Sequence, residues 1–206
     1  QMVEQHFGRS MNIDDALKPE VLICWEMNGQ PLVATHGAPV RLIVPGWYGV
    51  SNVKWLDHIH VQDTRYQGRF MSRDYVTLVG QQIGGETIWN ETSVSRIRIK
   101  SVLSRLTRTG SRFTATGFVL HDGTPLRSVE VRIDNGPWQT ARMDSQNTQF
   151  SWKLFTVDFN NVPAGEHTIT SRATDTNGVV QPEETALADK KTMWENNGQF
   201  VRKFTL

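Results

Sequence analysis

The stretch HGAPVRLIVPGWYGVSNVKW, His36 to Trp55, decides how the first half of the chain is read. Leu42, Ile43 and Val44 form a short apolar, β-favouring run, the pattern of a buried strand. Pro45-Gly46 stops that run, and Gly49 marks a second tight bend. Three cation-capable side chains stand around this scaffold: His36, Arg41 and Lys54. Arg41 and Lys54 flank a turn-rich loop rather than a solvated helix face. A planar guanidinium and a compact ammonium near exposed backbone N–H groups suit a phosphate or another compact anion. The plainer alternative is a pair of strand-end cations that lay their aliphatic stems on apolar surface and keep their charge in water.

Upstream, Asn12–Leu17 predicts one helical turn, with Asn12 as N-cap and Asp14 and Asp15 in the first turn. Pro19–Trp25 predicts a second short helix with Val21, Leu22 and Trp25 on its apolar face. Asn28-Gly29 predicts a turn. Downstream, Val53–Gln62 alternates as a strand does, which sets His58 and His60 on one face. That spacing can bind a metal, but no third ligand of comparable quality accompanies it. Residues 63–85 are polar and turn-rich, and Gly80–Thr92, with its tandem Gly84-Gly85, reads as a loop-like connection.

From Val94 the texture changes. Short β-type runs alternate with turn signals at Asp122-Gly123, Asn135-Gly136, Pro163–Gly165 and Asn177-Gly178. Asn135-Gly136, between VEVRID and WQTARM, is a strong hairpin signal. Six or seven strands over this half predict an immunoglobulin-like β-sandwich. The tail QFVRKFTL alternates like a further strand. Trp138 and Trp152 alone hint at a carbohydrate- or anion-binding sandwich, and such residues more often serve a core or an interface.

Composition bounds the function. The 206 residues can bury a sizeable core, and the formal net charge of +1 argues against a general nucleic-acid binder. No apolar run is long enough for a transmembrane helix. A single cysteine, Cys24, excludes an internal disulfide and any multi-cysteine metal site. The opening QMVEQHFGRS has no apolar leader core and looks like the middle of a protein.

MNGQPL (Met27–Leu32) followed by HGAPVRLIVPGWYGVSNVKWL closely resembles the molybdopterin-binding domain of the sulfite oxidase family, which includes sulfite oxidases, nitrate reductases and sulfane dehydrogenase subunits. GFVLHDG, VEVRIDNGPW and RATDTNGVVQP resemble the same family's dimerisation domain. The resemblance implies a mainly β fold: a truncated α+β piece, the C-terminal portion of the molybdopterin-binding domain, at residues 1–93, and an Ig-like dimerisation domain at 94–206. It implies a molybdenum oxidoreductase that transfers an oxygen atom to or from a small anion such as sulfite, using Mo-molybdopterin. His36 and Arg41 match positions that contact the pterin and its phosphate, and Asn52, Val53 and Lys54 match a loop contact. Asp74-Tyr75 matches a segment on the approach to the active site, and Lys190 or Lys191 matches a basic residue of the substrate pocket.

The family's metal-ligating cysteine lies well upstream of MNG, whereas Cys24 lies immediately before it and reads as a buried, inert small side chain. No catalytic or metal-ligating residue is therefore assigned. The resemblance implies a chain inactive alone, a homodimer through the Ig-like domain and a redox partner such as a cytochrome c; either the chain is a fragment, or a partner chain supplies the missing half. The alternative is a homodimerisation module with a vestigial pocket. The substrate and electron acceptor stay open, and a periplasmic location rests on family habit only.

Overall fold

In a computed structural model, residues 6–187 and 195–206 are described. They form a mainly β protein in two compact units, the first running to Arg96 and the second opening at Ile97 and ending with Asn196–Leu206. No helix among the described residues is long and apolar enough to cross a membrane.

In the first unit, α1 (Ile13–Ala16) is the expected helical turn, with Asp14 and Asp15 in it. Asn12 stands at its N-cap without a side-chain capping bond. Asp15 is instead tied to Lys18 and Arg96. The helix expected over Pro19–Trp25 does not form. Leu22–Cys24 is β1. Its extended backbone pairs antiparallel with Arg41–Ile43, so tertiary pairing overrides the short helical pattern. Cys24, half-buried, therefore lies on a strand rather than a helix. Next come β2 (Glu26–Met27) and β3 (Gln30–Pro31), joined through Asn28-Gly29, both with positive φ as a tight hairpin turn requires. β4 (Arg41–Ile43) is the expected strand; Val44, just beyond it, is its most buried apolar neighbour at 1% exposure.

Val53–Gln62 is not a strand. It has no ladder partner, and Ile59 and Val61 are 69% and 79% exposed. Alternation without a ladder of bonds to a neighbouring strand does not make a sheet. His58 stands exposed beside Asp57, and no group of three or more possible metal ligands occurs among the described residues. The stretch read as a loop over Gly80–Thr92 is also corrected. β5 (Val76–Ile83) and β6 (Glu86–Ser93) form a continuous hairpin closed by Gly84-Gly85. Both glycines have positive φ, as the primed two-residue turns that match strand twist demand.

The second unit is built from two four-stranded antiparallel sheets. The strands are β7 (Lys100–Thr109), β8 (Arg112–Leu120), β9 (Leu126–Ile133), β10 (Gln139–Thr140), β11 (Arg142–Met143), β12 (Lys153–Asn160), β13 (Glu166–Asp175) and β14 (Arg202–Thr205). One sheet has the order β10-β9-β13-β14 and the other β11-β12-β8-β7. Alternate residues point inward: Phe113, Ala115 and Val119 from β8 and Phe155, Val157 and Phe159 from β12 meet Val129, Val131, Ile169 and Ala173 of the other sheet in one core. Around Ala141 a single extended segment leaves one sheet as β10 and enters the other as β11. Asn135-Gly136 lies in the β9–β10 hairpin, as expected. The tail strand is present as β14 against β13. Trp138 is half-buried between Arg132 and Arg172, whereas Trp152 is exposed and stacks on Phe118.

The segment VVQP earns its place through Gln181, which is fully buried. Its carbonyl accepts from Ser101 N–H and Oγ–H at 2.8 and 2.7 Å, and its amide donates to the Gly198 carbonyl at 3.0 Å. Ser101 Oγ also meets Ser171 Oγ at 2.8 Å. Gln181 and Ser101 together thereby join a strand of each sheet to the C-terminal segment, with the buried polar atoms of Gln181 paired.

Two outcomes follow. Gly117 is buried on β8, and a Cβ there would overlap the Val102 carbonyl oxygen and the Phe155 ring. Gly117→Ala is expected to lower stability by about 1–3 kcal/mol, measured by urea unfolding. His167 has Nδ1 at 2.7 Å from Asp134 and Nε2 at 3.0 Å from the Pro163 carbonyl, acceptors that both favour the doubly protonated ring. The bond to Asp134 raises its pKa above the ordinary 6.5. Its contribution to stability is thus full below that ordinary value and lost as pH rises through the raised folded value. Unfolding curves between these limits should show that loss for the parent and not for His167→Gln.

Candidate functional site

The first unit folds the His36–Trp55 stretch around one short turn. Ala34–His36 is a single 3-10 turn that ends at Gly37, whose φ of +104° is a left-handed value suited to glycine. A Cβ on Gly37 would lie 2.8 Å from Lys54 Cβ, so the glycine lets the lysine segment lie directly on the turn. The Ala34 carbonyl accepts the turn's own bond from Gly37 N–H at 3.1 Å, and the carbonyls at the end of such a turn lack partners within it. Three side chains supply donors to three consecutive carbonyls. Trp55 Nε1–H donates to Ala34 at 2.9 Å, Lys54 Nζ to Thr35 at 3.0 Å, and Arg41 Nη1 to His36 at 3.0 Å.

The neighbouring loop fixes Arg41 from the other side. Its Nη2 lies 3.5 Å from the Asn52 carbonyl, a contact at the outer limit of a hydrogen bond. Asn52 Oδ1 accepts from Val44 N–H at 2.7 Å, and the Val53 carbonyl accepts from Leu42 N–H at 2.8 Å. Gly49–Ser51 forms the second tight bend as a 3-10 turn. All five residues singled out in the sequence, His36, Arg41, Asn52, Val53 and Lys54, therefore meet in one cluster of bonded loops. The His36 and Lys54 side chains are exposed; Arg41, Asn52 and Val53 are half-buried.

The electrostatics are one-sided. From Met27 to Leu56 the sequence has no Asp or Glu. Among the described residues Arg41 and Lys54 donate to backbone carbonyls, and no carboxylate is bonded to either charge. Arg41 Nε is buried and has no hydrogen-bond partner. An orphaned guanidinium N–H beside a second uncompensated cation is the donor set that an anionic group with several acceptor atoms would satisfy. The residues present thus fit a phosphate-bearing organic ligand.

Trp55 was missed in the sequence. It holds a left-handed backbone, with φ of +53°, that bulky residues rarely adopt. Its N–H bonds to the Gly37 carbonyl at 3.3 Å, and Lys54 Nζ lies 4.5 Å from its ring centroid. No local sequence signal marks a tryptophan that will bend back on a turn some twenty residues earlier. Asp74 ends a π-helical turn, Phe70–Asp74, and accepts from Arg69 at 3.1 Å, while the Tyr75 carbonyl accepts from Val94 at 2.9 Å at the foot of the β5–β6 hairpin. Lys190 and Lys191 lie outside the described residues.

The chain is similar to known proteins in both sequence and fold. Residues 1–70 match the family model of the oxidoreductase molybdopterin binding domain. Mitochondrial sulfite oxidase of Homo sapiens is 32% identical over 196 residues, covering 87% of this chain and 36% of that protein. NADH nitrate reductase of Ulva prolifera is 30% identical over 150 residues, covering 65% of this chain and 17% of that protein. Among solved structures, the sulfane dehydrogenase SoxCD from Paracoccus pantotrophus superposes with a TM-score of 0.80 at 26% identity, over 96% of this chain and 51% of that one. The chain spans about a third of the length of the human relative and half of the solved one. Across both units, in sequence and in fold, it belongs to the sulfite oxidase family of molybdopterin oxidoreductases.

Proposed function

We propose that these 206 residues are the C-terminal part of a sulfite-oxidase-like molybdenum oxidoreductase, one that transfers an oxygen atom to or from a small anion such as sulfite. The observation that carries this reading is the convergence of Arg41 and Lys54 on the adjacent carbonyls of His36 and Thr35, with no carboxylate bonded to them among the described residues. Arg41, with its orphaned Nε–H, and Lys54 would hold the phosphate and polar edge of the pterin, with His36 at the rim. Asn52 and Val53 keep the loop in register by bonding to Val44 and Leu42. The bound molybdenum would supply the oxygen-atom transfer itself.

Residues 1–93 would then be the C-terminal portion of the molybdopterin-binding domain, and 94–206 an Ig-like domain that makes a homodimer. The sole cysteine, Cys24, sits on β1 in ladder register with Arg41. We assign it no metal-binding role, so the 206 residues by themselves would complete only part of the pocket. A partner segment would supply the rest, and a redox protein such as a cytochrome c would take the electrons. The alternative, a homodimerisation module whose pocket is vestigial, draws support from the same hydrogen bonds, because Arg41 and Lys54 already serve the turn.

The two readings separate by experiment. The isolated chain is expected to show no sulfite oxidation and no stoichiometric molybdenum; activity with a full molybdenum complement would contradict the assignment. Titrated with isolated molybdopterin, it is expected to bind, and Arg41→Ala and Lys54→Ala are each expected to weaken binding about tenfold, the scale of one charge-assisted hydrogen bond. A dimer on gel filtration with no pterin affinity in the parent would favour the vestigial pocket.

A further inference from the structure

The β5–β6 hairpin is a two-stranded sheet that pairs with no other strand among the described residues. Such ribbons are marginal on their own in water and usually gain a third strand or a packed face. This one is exposed from Val79 to Glu91, and it carries apolar side chains there: Val79 36%, Ile83 55%, Ile88 42% and Trp89 44% exposed.

The two edges are not alike. Proteins guard an open edge with a charge, a proline or a bulge. β6 carries Glu86 and Glu91. If two β6 strands met antiparallel about a centre between Ile88 and Trp89, Glu86 of one copy would oppose Glu91 of the other, a like-charge pair. β5, VTLVGQQI, has no charged residue and no proline, and its register runs without a shift through eight pairs. It is an unguarded edge, and its outer half is exposed.

We propose that β5 pairs edge to edge, antiparallel, with β5 of a second copy of this chain, with Gln81 opposite Gln81 of the second copy. That register sets Val79 against Ile83 of the second copy on the same face, twice by symmetry, and joins Ile88, the neighbour of Gln81 on β6, to the same apolar strip. Gly80 meets Gln82 of the second copy on the opposite face, where the glycine already gives room to Trp89 and Thr87. The product is a four-stranded antiparallel sheet in the order β6-β5-β5-β6, whose outer edges are the charged strands. Main-chain bonds supply the attraction and the apolar pairs set the register. This contact is independent of the dimer proposed for the second unit.

The test uses the full 206-residue chain and its exposed Gln81. By analytical ultracentrifugation, Gln81→Lys and Gln81→Glu should each weaken self-association roughly tenfold, because like charges then face each other across the two-fold axis. An equimolar mixture of the two variants should associate again. In a Cys24→Ser background, Gln81→Cys should form a disulfide between copies under mild oxidation. The proposal is overturned if both charged variants associate as tightly as the parent, if the mixture behaves no differently from either variant alone, or if Gln81→Cys stays unlinked. A dimer made only by the second unit would give all three of these results.

Discussion

Three donors on three consecutive carbonyls govern the first unit. Trp55, Lys54 and Arg41 reach Ala34, Thr35 and His36 in order, so a 3-10 turn with little packing of its own is held at fixed distances. Each bond is modest in net free energy, but leaving a carbonyl or a guanidinium unpaired costs more than pairing it gains. The same bonds fix the position of two positive charges. The local sequence supplies no carboxylate to discharge them, so the loop cluster is a structural joint that also carries positive charge, the charge on which the proposed anion binding rests. Both roles follow from one set of contacts, since Arg41 and Lys54 have more N–H groups than the carbonyls use.

The second unit solves a different problem. Its two sheets bury an apolar core of alternating residues, and their junction is set by a polar side chain, Gln181, bonded to β7 and to the C-terminal segment. A buried amide with its bonds satisfied specifies one arrangement of the strands more sharply than apolar contact does. The crossover at Ala141 does comparable work on the other side, by letting one strand serve both sheets.

Much of this was legible in the residues. The alternation in RFTATGFVL and KLFTVDFN, the Asn135-Gly136 turn and the strand-like tail all describe sheets with one buried face, and the structure has them. The errors lie where pattern is short or pairing is remote. Leu22–Cys24 has a helix-compatible apolar face but pairs with β4, a choice made some twenty residues away. Val53–Gln62 alternates but makes only isolated bonds beside β4, not a ladder. Gly80–Thr92 reads as a loop because the hairpin, exposed from Val79 to Glu91, carries no buried stripe there. At the site, Arg41 and Lys54 were visible as charges beside a bend. Trp55 was not, because a left-handed tryptophan and its bond to Ala34 are consequences of the fold and not of local propensity.

The central claim is that the cluster around Ala34–His36 receives an anionic organic ligand. Nitrogen-15 NMR of the arginine Nε–H and indole Nε1–H groups during titration with molybdopterin tests it at the atoms concerned. The account predicts that the Arg41 Nε–H resonance moves downfield and gains protection from exchange, with Trp55 Nε1–H shifting in step. Resonances of Arg41 and Trp55 that stay in place while ligand binds elsewhere, or while none binds, would contradict it.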